Sequence, residues 1–166
     1  MYLPKSFIPS IGKEYNPRWI DSKVYDTIQI CNSGHTGGQA TVCKVKGGGS
    51  FYALKVFKRN ADTPDVQRQM GVEFRAKFDD PFFIQPISRC QISANREAIL
   101  FPWIEGTTLD KYRRSKPLSN DDKLDLMIEI SKALACLHAK GWKHNDLKDS
   151  NIMVVDSNTN PKIRII

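Results

Sequence analysis

Starting at Trp142 the chain reads WKHNDLKDSNIMV, in which His144, Asn145, Asp146, Lys148, Asp149 and Asn151 place an imidazole, carboxylates, an ammonium and amides within eight residues. Such a density of titratable and polar groups, closed by an apolar run, marks the working edge of a catalytic site. A second candidate is GHTGGQATV at residues 34–42. There Gly34, Gly37 and Gly38 bring backbone amides unobstructed by Cβ atoms to one place, the arrangement that cradles the phosphates of a nucleotide. Thirteen residues after Val42, Lys55 stands among Ala53, Leu54, Val56 and Phe57. A lysine in so apolar a run is costly to bury alone and calls for a partner. Glu73, eighteen residues further on, is the candidate.

These groups need a scaffold, and the spacing of apolar residues supplies one. VYDTIQIC, ATVCKVK and SFYALKVFK are three β-rich runs, the last two joined by a turn at GGGS, residues 47–50. Together they predict an antiparallel meander. Residues 65–78 follow Pro64 and repeat apolar side chains at spacings of four (Val66, Met70, Phe74, Phe78), which predicts a helix that would carry Glu73. Two further strand-like runs, FFIQPISRCQI and EAILFPWI, complete the first half. In the second half, residues 119–141 predict a long helix capped by Ser119 or Asn120 and closed by Lys140 and Gly141. Leu124, Met127, Ile128, Ser131, Leu134, Ala135 and His138 recur on one of its faces. NIMVV, the turn DSNTNP and KIRII read as a hairpin behind the polar stretch.

Composition limits the function. The 166 residues carry a net charge of +7, which suits a nucleic acid, an acidic surface or a phosphorylated ligand. The basic residues form no stripe, however, so a solvated surface is favoured and no nucleic-acid partner is expected. Cys31, Cys43, Cys90 and Cys136 form no C-x-x-C pair, and the three histidines have no metal-ligand spacing. No run approaches the ~18 apolar residues of a membrane span, and the N-terminus, broken by Pro4 and Pro9, has no signal-like core. The expectation is a soluble, cytoplasmic protein with reduced thiols.

The order of these elements and motifs resembles a eukaryotic-type protein kinase domain of the serine/threonine type. HNDLKDSN is similar to H-R-D-L-K-x-x-N at His144, Asp146, Leu147, Lys148 and Asn151, preceded by a long helix and followed by an apolar strand. The glycine run resembles G-x-G-x-x-G-x-V with Gly37 in the second glycine position and Ala40 in the third. His35 stands at the first, unless the loop has one extra residue and Gly34 serves. The Lys55–Glu73 spacing is similar to the strand-lysine and helix-glutamate pair.

The resemblance implies an α+β, two-lobed kinase-like fold: a five-stranded antiparallel N-terminal sheet with one helix, then an incomplete, mainly helical C-terminal lobe. The implied divisions are an extension at 1–23, an N-lobe at 24–101, a hinge at 102–108 and a partial C-lobe at 109–166. ATP and Mg2+ are the implied cofactors. Asp146 would orient or deprotonate a substrate hydroxyl, Lys148 would neutralise the transferring phosphoryl group, and Asn151 would bind magnesium. Lys55, held by Glu73, would contact the α- and β-phosphates. Val42, Ala53 and Met153 would clamp the adenine. In LFPWIEGTTL, Phe101 would stand behind that base, with the Pro102 carbonyl and Ile104 amide bonding its edge. The implied partner is a protein with a Ser/Thr hydroxyl, and Lys148, two residues after the Asp, favours Ser/Thr over Tyr.

Two departures bear on these implications. Asn145 replaces the arginine that meets a phosphate on the activation loop in the family, which implies activity without that phosphorylation. KIRII resembles the strand leading into D-F-G, and the chain ends at Ile166. The 166 residues alone are therefore expected to be inactive in transfer. An alternative is a kinase-like nucleotide-binding or regulatory protein that engages another kinase or regulatory partner. A further alternative is a small-molecule phosphotransferase of similar fold, against which the D-x-K arrangement argues.

Overall fold

The computed structural model describes residues 10–21, 23–32, 34–36, 40–58, 80–93, 96–155 and 162–166. By internal contacts the chain divides into two compact units, Met1–Lys77 with Gln85–Trp103 and Phe78–Ile84 with Ile104–Ile166. Among the described residues no helix is long and apolar enough to cross a membrane.

The first unit is built on one sheet. Its main strands are β3 (Ile28–Ile30), β5 (Ala40–Gly47), β6 (Ser50–Phe57), β7 (Ser88–Ser93) and β8 (Arg96–Pro102), hydrogen-bonded in the order β3-β5-β6-β8-β7. Neighbours run antiparallel, as the sequence predicts. β5 and β6 turn tightly at Gly48 and Gly49, whose φ values of 55° and 87° are the positive pair that a two-residue hairpin turn demands. Three two-residue strands extend this sheet: β1 (Glu14–Tyr15) beside β3, β2 (Arg18–Trp19) beside β7, and β4 (His35–Thr36) beside β5. Residues 14–19, part of the extension expected at 1–23, thus contribute strands at both edges of the sheet. Their few residues left no period to read. Asp21 reinforces this closure by accepting from the Arg89 guanidinium at 2.7 Å and from the Arg89 amide at 3.0 Å.

β3 is shorter than its apolar run suggests. The Tyr25 carbonyl accepts the Trp19 indole N–H at 2.6 Å, and its hydroxyl meets that of Tyr52, so Tyr25 is committed to side-chain partners. One face of the sheet buries Ile28, Ile30, Cys43, Val45, Leu54, Val56, Cys90, Ala98 and Leu100 in a continuous core. Burial pushes the thiols of Cys43 and Cys90 up to about 11 and about 12, so both remain protonated. The helix expected at 65–78 and the turn at 156–161 lie outside the described residues.

The second unit combines β9 (Gly106–Thr108), α1 (Leu109–Ser115), α2 (Asn120–Ala139), β10 (Ile152–Val155) and β11 (Ile163–Ile165). Its three strands pair in the order β11-β10-β9. Ser119 rather than Asn120 caps α2: its Oγ accepts from the Asp122 amide at 3.0 Å while Asp122 Oδ2 accepts from the Ser119 amide at 3.1 Å. This is the reciprocal capping box. The buried face of α2 differs from the predicted one. Leu126, Ala133 and Leu137 are buried with Ile130 beside them, whereas Leu124, Met127 and Ile128 are 57%, 65% and 43% exposed. Both stripes satisfy helical spacing. The choice is made by Ile152, Val154, Ile163 and Ile165 of the small sheet, which receive Leu126 and Ala133 in one core.

Candidate active site

Alternation along β5, β6 and β8 sorts the predicted nucleotide residues onto one face. Val42 pairs with Lys55, Lys44 with Ala53, Lys55 with Ile99 and Ala53 with Phe101. Directly paired residues share a face of an antiparallel sheet. Val42, Ala53, Lys55 and Phe101 therefore lie together, opposite the Cys43–Leu54–Leu100 core. Lys55 reaches over the Phe57 ring, its Nζ 5.7 Å from the centroid. Phe57 and Ile99 are buried, with Phe101 packed against them. Pro102, opposite Tyr52, ends β8, and Ile104 is the first residue of the second unit after Trp103.

Gly34 shows what the glycine-rich segment needs. Its φ is +79°, and a Cβ there would stand 2.8 Å from the Val42 carbonyl oxygen. Asn32 secures the base of the segment: its Oδ1 accepts from the Gly34 amide at 3.1 Å and the Lys44 amide at 2.9 Å. Sequence reasoning passed over Asn32, although an Asn just before a glycine turn is the signal for such side-chain-to-backbone bonding. Gly37, Gly38 and Glu73 lie outside the described residues, and the expected Lys55–Glu73 pairing with them.

The polar stretch between α2 and β10 folds on itself. Lys148 Nζ donates to Asp146 Oδ1 at 3.0 Å and Oδ2 at 2.8 Å. Asn151 Nδ2 donates to the Asp146 carbonyl at 2.8 Å and to its Oδ2 at 3.1 Å. The Asp146 amide donates to His144 Nδ1 at 3.4 Å, which makes His144 a structural member of the loop. Three residues, Asp149–Asn151, form a 3-10 turn that runs into β10 and places Met153 between Thr108 of β9 and Arg164 of β11. The ammonium of Lys148 holds the Asp146 carboxyl below the usual carboxylate range against the opposing effect of burial, and the Asn151 amide adds to the lowering. An ionised carboxylate can orient a hydroxyl and accept its proton, and the ammonium beside it can neutralise a nearby anion.

Asn145 is the one non-glycine residue among those described with positive φ, at 60°. Asn tolerates this left-handed region better than most side chains because its short amide bonds locally. The departure from the expected arginine therefore suits the backbone it occupies. Sequence reasoning also passed over Arg113, which pairs with Asp149 at 3.1 Å.

The family model for the protein kinase domain matches residues 27–166. The chain belongs to the protein kinase family. It is 33% identical over 147 residues to human serine/threonine-protein kinase 16, covering 82% of this chain and 47% of that protein. Over 141 residues it is 28% identical to the probable serine/threonine-protein kinase PknB of Lactococcus lactis, covering 81% of this chain and 22% of that one. The kinase chain thus spans about half, or less, of these relatives' length. A crystal structure of Rad53 1-466 in complex with AMP-PNP superposes with a TM-score of 0.66 over 90% of this chain and 37% of that one, at 20% identity. At that identity the likeness shows the fold, which is the partial two-lobed kinase fold expected from the motifs.

Proposed function

We propose that this chain carries the nucleotide sheet and the catalytic loop of an ATP-dependent serine/threonine protein kinase. The observation that carries the reading is the bonding of Lys148 and Asn151 to Asp146. It keeps a carboxylate ionised beside a cation, as transfer of a phosphoryl group to a hydroxyl requires. Asp146 orients the Ser or Thr hydroxyl and takes its proton as the new O–P bond forms and the bond from the γ-phosphorus to the β–γ bridging oxygen breaks, releasing ADP. Lys148 turns from Asp146 to the γ-phosphoryl oxygens and offsets their charge. On the sheet, Lys55 meets the α- and β-phosphates, the amides near Gly34, Gly37 and Gly38 cover them, and Val42 and Ala53 flank the adenine. Phe101 stands behind the base, whose edge bonds to the backbone of Pro102 and Ile104. Glu73 holds Lys55. The AMP-PNP named for the Rad53 structure is consistent with this use of the fold.

Magnesium fits the residues present as a shared ligand. Asn151 Nδ2 is committed to Asp146, which leaves Oδ1 as the oxygen it offers a hard cation. Among the described residues no three His, Cys, Asp or Glu side chains gather to hold a metal. Asn151 would contribute to holding Mg2+ together with the nucleotide's phosphates, and when bound the ion would neutralise phosphate charge.

Substitution of the strand lysine tests the reading. In the intact protein, Lys55→Met should lower γ-phosphate transfer to a Ser/Thr peptide by about 10²–10³-fold, the loss typical of one electrostatic donor. Melting should stay near the wild-type value. Transfer at the wild-type rate would overturn the assignment of Lys55.

A further inference from the structure

The hydrogen bonds inside the catalytic loop join residues no more than five apart: Lys148 to Asp146, Asn151 to Asp146, and the Asn151 amide to the Lys148 carbonyl at 2.8 Å. They fix the loop's internal shape. They do not fix its position on the rest of the unit. One external tie is at its C-terminal end, where the Ile166 amide donates to the Asn151 carbonyl at 3.0 Å. A second comes from α1, whose Arg113 Nη1 stands 3.1 Å from Asp149 Oδ2. Asp149 lies between Lys148 and Asn151 and opens the 3-10 turn. Arg113 directly follows Tyr112, which packs with Leu109 against the core of the second unit. The guanidinium is thereby carried on an anchored helix.

We infer that Arg113 is a positioning residue of the catalytic loop, acting through its ion pair with Asp149 to set where Lys148 and Asn151 stand relative to α1. The inference rests on the kinase reading of the loop for its effect on activity. The pair is a poor candidate for a stabilising contact. Its side chains are 57% and 40% exposed, and exposed pairs add little to folding because water and salt screen them. What such a pair can do is restrict a short turn, and transfer is sensitive to misplacement of its groups by fractions of an ångström or more. Arg113 meets neither nucleotide nor acceptor in this account. Its effect should therefore fall on turnover rather than on binding.

The test uses the full chain. Arg113→Ala and Asp149→Asn should each raise amide exchange at Asn151 by about tenfold with melting unchanged, the pattern of local opening without global loss. Arg113→Lys, which keeps the charge, should restore most of the protection. The exchanged pair Arg113→Asp with Asp149→Arg should also restore it, as a coupled pair must. In the intact protein, kcat should fall about tenfold in Arg113→Ala with KM for ATP unchanged, and lose its dependence on ionic strength. Wild-type exchange at Asn151 in both single variants would overturn the inference, and so would failure of the charge exchange to restore protection. Asp146→Asn run in parallel separates the two ideas. If it leaves transfer intact, the kinase reading fails, while the exchange data still decide the role of Arg113.

Discussion

In the first unit, chemistry-bearing side chains stand on a sheet whose opposite face is sealed: Leu54 and Leu100 are fully buried while Lys55 and Phe101, one residue further along, project the other way. In the second unit, Asp146 and Lys148 are 67% and 54% exposed, and hydrogen bonds between close sequence neighbours give the loop its shape. A lysine on the sheet is thus positioned by a core it does not enter, whereas the loop takes its internal shape from the polar groups that would also do the chemistry. The contrast predicts where damage goes. Changes on the sealed face should cost folding, and changes in the loop should cost function with little effect on folding.

The sharpest break uses the two neighbours on β6. Leu54→Ala should destabilise the protein by about 3 kcal/mol, since it removes buried methyl groups and leaves a cavity in a close-packed core. Denaturant unfolding reads this directly. Lys55→Met, next to it, should leave unfolding almost unchanged. Equal destabilisation by both would mean that the two faces of the strand are not distinct. A smaller effect is expected at the N-terminus of α2, where Ser119→Ala removes one half of the capping box and should cost about 1 kcal/mol, read as a lower melting temperature.

The smallest effect concerns pH. Because Lys148 depresses the Asp146 carboxyl, the ionised form is favoured in the folded state. Its contribution is present above the unfolded value of about 3.9 and is lost as pH falls through the lower folded value. Asp146 should consequently not limit transfer at any pH above about 4. Lys148→Met should raise the Asp146 carboxyl towards its ordinary value, seen by carboxyl-carbon NMR titration. An Asp146 that titrates at the ordinary aspartate value in the wild type would show that the Lys148 bond does not persist in solution.

Much of this was legible in the sequence, and the rest was hidden for identifiable reasons. The five main strands announced themselves through β-branched and aromatic runs, and the HNDLKDSN spacing singled out Asp146, Lys148 and Asn151, which bond to one another. Residues 14–19 did not, because two-residue strands carry no period and join the sheet only through distant partners in β3 and β7. The buried face of α2 was misread because two apolar stripes compete on it. Which one is covered depends on Ile152, Val154, Ile163 and Ile165, residues far along the chain. Asn145 was legible as a departure but not as a left-handed residue, since φ depends on the turn around it. The Arg113–Asp149 pair spans thirty-six residues and left no local pattern.

The central claim is that the exposed loop exists to place one ionised carboxylate for phosphoryl transfer. Asp146→Asn in the intact protein tests it most directly, because the amide keeps the shape and an acceptor for Lys148 but can no longer take a proton. Transfer of γ-phosphate to a Ser/Thr peptide should fall by about a thousandfold, within the range that removal of a general base produces. Nucleotide affinity and melting temperature should remain those of the wild type. Transfer that survives the substitution, or that is lost only together with nucleotide binding and the fold, would contradict the account.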